Sequence, residues 1–241
     1  MFRFKQFSIR QDRTAMKVCT DACVLGAYAD VSGERILDVG TGTGLLALMA
    51  AQRNPPAQID AVEVDEAAFG QATENVAGSP FADRVRVWHG RVQDFRPEGR
   101  YDRILTNPPF YTNHLRSPDA AVNRALHTDE LPFGELVAVV QQLLKPDGQW
   151  WVLLPPYEME QLTTLARTSG LLPFRQLHLR HNASKPVFRV VAGFAFAGTE
   201  VGATAPAATN VSVDLLTVYE PDNRTHTADF RALLRDFYLI F

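Results

Sequence analysis

Between residues 36 and 169 short apolar runs alternate with stretches in which apolar residues recur every three or four positions. Runs 36–39, 59–64, 85–89, 103–106 and 149–154 have strand length; stretches 45–53, 66–76, 133–144 and 159–168 have helical period. Alternation of this kind predicts βαβ units and a parallel sheet. Run 149–154 contains Trp150, Trp151, Val152, Leu153 and Leu154 and reads as a strand buried on both faces. Ser79-Pro80, Pro146-Asp147-Gly148 and Gly170 punctuate three of the helices. After residue 170 the pattern changes. Runs 172–179 and 187–196, joined by polar 181–185, predict a hairpin, and 198–210 is a loose loop rich in Gly, Ala, Thr and Pro. A last strand, 211–219, precedes a short helix, 228–238, with Phe230, Leu233, Leu234 and Phe237 on one face. Ahead of the alternating region, an extended FRFKQF segment leads to a helix ending at Ala29, with Thr20 or Asp21 as its N-cap. The expected organisation is a cap over 1–34, an α/β domain over 35–198 and an extension over 199–241 packed on the same domain. The expected sheet is mostly parallel and seven-stranded, with the hairpin antiparallel.

Charge adds one refinement. The net charge is −3, which excludes a protein that coats nucleic acid, yet residues 1–20 and 171–198 each carry +4. Arg10, Arg13 and Lys17 in the first segment, and Arg180, Lys185 and Arg189 in the second, are a candidate docking face for a polyanion. Two solvated edges that never meet are the plainer alternative. Cys19 and Cys23 are too few for a disulfide framework or a four-ligand zinc site, and read as small buried side chains in a reducing cytoplasm. No uncharged apolar stretch of membrane-spanning length is present, and charges interrupt the N-terminal aromatics as no signal peptide requires.

The first predicted strand ends in Asp38-Val39-Gly40-Thr41-Gly42-Thr43-Gly44, and Glu63 lies at the end of the second. Glycines at 40, 42 and 44 let the backbone approach a ligand closely. The Glu63 carboxylate is placed to accept hydrogen bonds from a ribose diol, in the crevice outside the strand ends. The glycines alone also fit the loose nicotinamide fingerprint, Gly42-x-Gly44-x-x-Ala47. Asp38 leans the other way: its carboxylate repels a pyrophosphate but suits the amine of an amino-acid-like cofactor.

The fourth strand ends in Asn107-Pro108-Pro109-Phe110. An exocyclic amine such as adenine N6 is a poor nucleophile, because its lone pair is delocalised into the ring. Carbonyls of Asn107 and Pro108 can each accept one N–H and favour a pyramidal nitrogen, while Phe110 stacks on the flat base. Positioning suffices for the in-line displacement, so neither a metal nor a strong base is required.

The DVGTGTG turn with a downstream NPPF resembles the class I amino-methyltransferases, whose fold is Rossmann-like. FKQFSIRQD, AMKVCTDACVLGAYA, AVEVDEAAFGQATENVAGSPF, HTDELPF and FYLIF resemble, over nearly the whole chain, the bacterial tRNA1(Val) adenine N6-methyltransferase family. The resemblance implies an S-adenosylmethionine-dependent, cytoplasmic tRNA-modifying transferase acting on the adenosine 3′ of the anticodon, with no metal, no membrane and a monomer favoured. It implies that Asp38 and Gly40, with Gly42 and Gly44, hold the methionine part of the cofactor and Glu63 its ribose. Asn107 to Phe110 become the target-base pocket, and Lys17, Thr20 and Asp21 a lid near the cofactor. In the family an Asp after the third strand contacts the cofactor adenine; Arg91, followed by Val92, stands there, with Asp94 three residues on. The family's Ala-Arg-aromatic string is Ala125-Leu126-His127. Protein glutamine N5-methylation and ribosomal RNA guanine N2-methylation use similar turns and are the alternatives; a nicotinamide-dependent oxidoreductase and a non-catalytic cofactor-binding module are those of different class.

Overall fold

The structure, a computed structural model, describes residues 1–14, 16–109, 131–199 and 211–241. Two short strands, β1 (Phe2–Arg3) and β2 (Ser8–Ile9), pair antiparallel and lead to α1 (Thr20–Tyr28). The alternating region follows as β3 (Arg35–Val39), α2 (Leu45–Arg53), β4 (Gln58–Glu63), α3 (Glu66–Ala77), β5 (Val85–His89) and β6 (Tyr101–Thr106). Further along the chain come α4 (Phe133–Leu143), β7 (Leu144–Leu154), α5 (Pro156–Thr168), β8 (Leu171–Arg180), β9 (Val187–Phe196), β10 (Ser212–Thr217) and α6 (Ala228–Leu234).

The sheet has eight strands, not seven, in the order β10-β8-β9-β7-β6-β3-β4-β5. Strand β9 is antiparallel to β7 and β8, which confirms the hairpin, while β10 extends the edge by pairing parallel to β8. The pleat explains why β7 is apolar throughout. Trp151 and Leu153 join one core cluster with α1, α2 and α6, whereas Trp150, Val152 and Leu154 join the other with α4 and α5. The turn predicted at Pro146-Asp147-Gly148 lies inside β7: Tyr101 pairs with Leu144 but Arg103 with Gln149, so these residues bulge from one continuous ladder.

Two further expectations shift. Helix α1 has Cys19 at its N-cap position, without a side-chain cap. Asp21 instead accepts from Arg189 Nε at 2.9 Å. Helix α6 stops at Leu234, with Thr227 capping the Phe230 amide. Phe2 and Phe4 pack on Tyr238, and Lys5 Nζ donates to the carbonyls of Arg235 and Phe241, so the cap and the C-terminal segment close on each other. No helix among the described residues is long and apolar enough to cross a membrane.

Candidate active site

Strand order reverses at β3, whose neighbours are β4 and β6, and this switch point is where open α/β sheets bind ligands. The register aligns the strand ends. Val39 pairs with Val62 and Thr106, and Glu63 pairs with His89. The next residues, Gly40, Asn107 and Gly90, therefore emerge beside Glu63 along one rim. Adjacent strands are ~4.8 Å apart, so the glycine turn and Asn107 are immediate neighbours.

The turn itself is built from backbone that only glycine adopts easily: Gly40, Gly42 and Gly44 have φ of 70°, 57° and 84°. A Cβ at Gly40 or Gly42 would meet nothing within 4 Å, so these positions face open space. Asp38 underlies the turn and is fully buried. Its Oδ2 accepts from Thr41 Oγ1 at 2.6 Å and from the Ala47 amide at 3.1 Å, while Oδ1 has no partner among the described residues. Burial pushes the Asp38 carboxyl up to about 7, against the pull of those two donors, and the nearby Glu63 charge adds to the rise. Glu63 is also raised, chiefly by burial. Its carboxylate is already engaged, accepting from the amides of Gly42, Val64 and Asp65 at 2.8–2.9 Å. Of roughly four acceptor positions, one remains for a ribose hydroxyl, rather than the two expected.

The glycine turn at 40–43 and Glu63 open on a cavity of about 310 Å3, within the usual range for ligand sites, whereas Asp38 and Gly44 do not line it. Asp65, Ala68, Val92 and Gln93 line one part, and Asn107, Pro108 and Pro109 another. The roof is a strap, Arg13, Thr14, Met16, Lys17, Val18 and Cys19. Lys17, Arg91 and Val92 thus stand at the cavity as expected. Thr20 does not line it. Asp21 is held by Arg189 and is no lid residue. Asp94 is likewise not a lining residue, and Arg91 pairs with Glu135 at 3.6 Å. Phe110 and 125–127 lie outside the described residues. Cys19 is half-buried at the roof and Cys23 fully buried; desolvation raises both thiols, that of Cys23 to about 12.

What holds the strap down was missed in the sequence. Gln71 Oε1 accepts from the amides of Asp12 and Arg13, and Asn75 exchanges two hydrogen bonds with the Arg10 backbone. Asn75 Nδ2 also donates to the Thr43 carbonyl in the glycine turn. The available signal was their spacing: two carboxamides four residues apart share one face of a helix.

The proposed docking cations separate into free and engaged groups. Arg13 pairs with Glu74, Arg189 with Asp21, and Arg180 donates to Thr217 and the Ala183 carbonyl. Arg10 and Lys185 are exposed and make no ion pair among the described residues. The second basic segment reaches the cap through the Asp21–Arg189 pair, one residue past the end of the first. No metal-holding cluster of His, Cys, Asp and Glu occurs among the described residues.

An orphaned buried carboxylate oxygen beneath the turn, an open glycine cradle and a nearly saturated carboxylate at the second strand end fit S-adenosylmethionine. A buried carboxylate beneath the turn disfavours a pyrophosphate there. The comparisons agree. The methyltransferase small domain family matches residues 23–162. A tRNA1(Val) (adenine(37)-N6)-methyltransferase of Dyadobacter fermentans is 50% identical, covering 100% of this chain and 98% of its own. One of Tolumonas auensis is 42% identical, over 99% and 96%. A predicted O-methyltransferase of Agrobacterium tumefaciens shares the fold with a TM-score of 0.63 at 15% identity, over 90% and 96%. The chain belongs to the methyltransferase small domain family and, within it, to the tRNA1(Val) (adenine(37)-N6)-methyltransferases.

Proposed function

We propose that this protein methylates N6 of adenosine 37 in tRNA1(Val), the activity its relatives' names carry. The observation that supports it most is Asn107-Pro108 emerging beside Gly40, so that acceptors for an exocyclic amine sit next to the cofactor turn. S-adenosylmethionine, when bound, would supply an electrophilic methyl group, its sulfur leaving as a neutral thioether. The glycine turn would hold its amino-acid end, with Asp38 beneath the turn as counter-charge, and Glu63 would accept from one ribose hydroxyl. Arg91 and Val92 border the adenine end. Asn107 Oδ1 and the Pro108 carbonyl accept the two amine N–H groups and aim the lone pair at the methyl. The nitrogen releases its extra proton to water once methylated, because its acidity then exceeds that of a neutral amine. Among the basic side chains, Arg10, Lys17 and Lys185 contact phosphates; Arg13, Arg180 and Arg189 mainly brace the strap and hairpin. The free, inert thiols suit a reducing cytoplasm.

The test is labelled methyl transfer from S-adenosylmethionine to total tRNA, followed by nucleoside mass spectrometry. Label in N6-methyladenosine supports the reading. Label in N2-methylguanosine or in protein glutamine, with none in tRNA adenosine, replaces it.

A further inference from the structure

The rim that carries Asn107 continues past the catalytic turn. Val152 pairs with Thr106, and Leu154 with Val190. The residues that follow Leu154 and those that precede Val190 therefore project from the same end of the sheet, on the two strands next to β6. Strand β9 lies two interstrand spacings of ~4.8 Å from β6 and β8 lies three, so this stretch sits roughly 10–15 Å across the sheet from the strand that carries Asn107. Aromatic side chains stand there in water. Tyr157, in the first turn of α5, is 66% exposed. His181, at the end of β8, is also exposed, yet its ring is fixed: it stacks on Phe188 with centroids 4.1 Å apart and planes at 4°. Its carbonyl accepts from the Tyr219 amide at 2.7 Å, which anchors the backbone beneath.

Tyr157 and His181 lie outside both core clusters, while Phe188 packs against one and fixes the His181 ring. The electrostatics choose the partner. Residues 171–198 contain no acidic side chain, and Lys185 is exposed in the turn between β8 and β9, which also carries His181. Flat rings among cations recognise unstacked bases and their phosphates, and every base offers a face.

We propose that Tyr157 and the His181–Phe188 stack form a stacking rim for the unpaired nucleotides that flank the target adenosine, with Lys185 on their phosphates. A base drawn to Asn107 leaves its flanking nucleotides outside the pocket, at the same end of the sheet as these rings. The inference rests on the proposed function for its RNA substrate but concerns residues which that reading does not need.

The experiment measures binding of in vitro transcribed tRNA1(Val) by filter retention, and methyl transfer to it, for the wild type, Tyr157→Ala, His181→Ala and Tyr157→Phe. Each alanine variant should raise both Kd and KM for the RNA by about 5- to 100-fold, the range expected for one lost stacking contact. Turnover at saturating RNA, S-adenosylmethionine affinity and Tm should stay at wild-type values, and Tyr157→Phe should bind like the wild type because its stacking face survives. RNA Kd and KM within twofold of wild type in both alanine variants overturn the rim. A wild type that binds this RNA through Tyr157 and His181 without methylating it retains the rim and removes the proposed function. Binding indifferent to both rings, with methyl label on protein glutamine, removes both.

Discussion

Replacing Asp38 by asparagine keeps the shape beneath the glycine turn and deletes its charge. In the empty protein that charge is costly. The carboxyl ionises at about 7 rather than 3.8, and the difference corresponds to roughly 4 kcal/mol once it is charged. A raised acid holds its proton longer folded than unfolded. Its contribution to stability is therefore complete below about pH 4 and is lost as pH rises through 7. A ligand ammonium at Oδ1 reverses the balance by favouring the charged form, so binding below pH 7 must expel a proton. Affinity for S-adenosylmethionine should rise from pH 5 to 7, then fall above ~8 as the ligand amine itself deprotonates. Asp38→Asn should weaken binding at pH 7.5 by roughly 10- to 150-fold, the value of a charge-assisted hydrogen bond. Glu63 is shifted in the same direction, so a remnant of the rising limb should persist until Glu63→Gln is added. Calorimetry in two buffers of different ionisation heat counts the protons. Tight binding by Asp38→Asn with an unchanged pH profile and unchanged proton release would refute the reasoning.

Asn107→Ala should lower kcat by ~100-fold or more while cofactor affinity in calorimetry stays near wild type, because the lost carbonyl acts on the reacting amine. Neutralising Arg10 and Lys185 together should raise KM for tRNA and flatten the dependence of log K on log salt by roughly 0.7–0.9 per lost phosphate contact; an unaltered slope removes them from the docking face. Arg189→Gln should lower stability by roughly 1–3 kcal/mol in urea unfolding, since it strands a part-buried Asp21, and adding Asp21→Asn should recover much of the loss. No such recovery would return Arg189 to the RNA.

The parts of the fold legible in the sequence are those written in local pattern. Strand and helix periods located the five parallel strands and the hairpin, because buried faces impose them on contiguous residues. Strand β10 was read as a strand but not as a sheet member, since its pairing with β8 is decided across a distance that no local pattern records. The site divides similarly. Asp38, Glu63 and Asn107 end strands, and strand ends in this topology fall on one rim, so spacing sufficed. The Arg189–Asp21 pair was not legible, because a basic letter does not say whether its partner is solvent or a carboxylate. Gln71 and Asn75 were overlooked because their partners are backbone amides and carbonyls, which have no letter at all.

Those two carboxamides bear on how the protein opens. Asn75 ties the Arg10 backbone to the Thr43 carbonyl, so the strap cannot lift without loosening the turn that cradles the cofactor. Strap, turn and the outer face of α3 should thus detach as one cooperative unit, with a single free energy of local opening. The amides of Arg10, Asp12 and Arg13 belong to exposed or half-exposed residues, yet their exchange with solvent should slow in step with cofactor occupancy. They are native reporters of a filled site, distant in sequence from every atom that touches the methyl group.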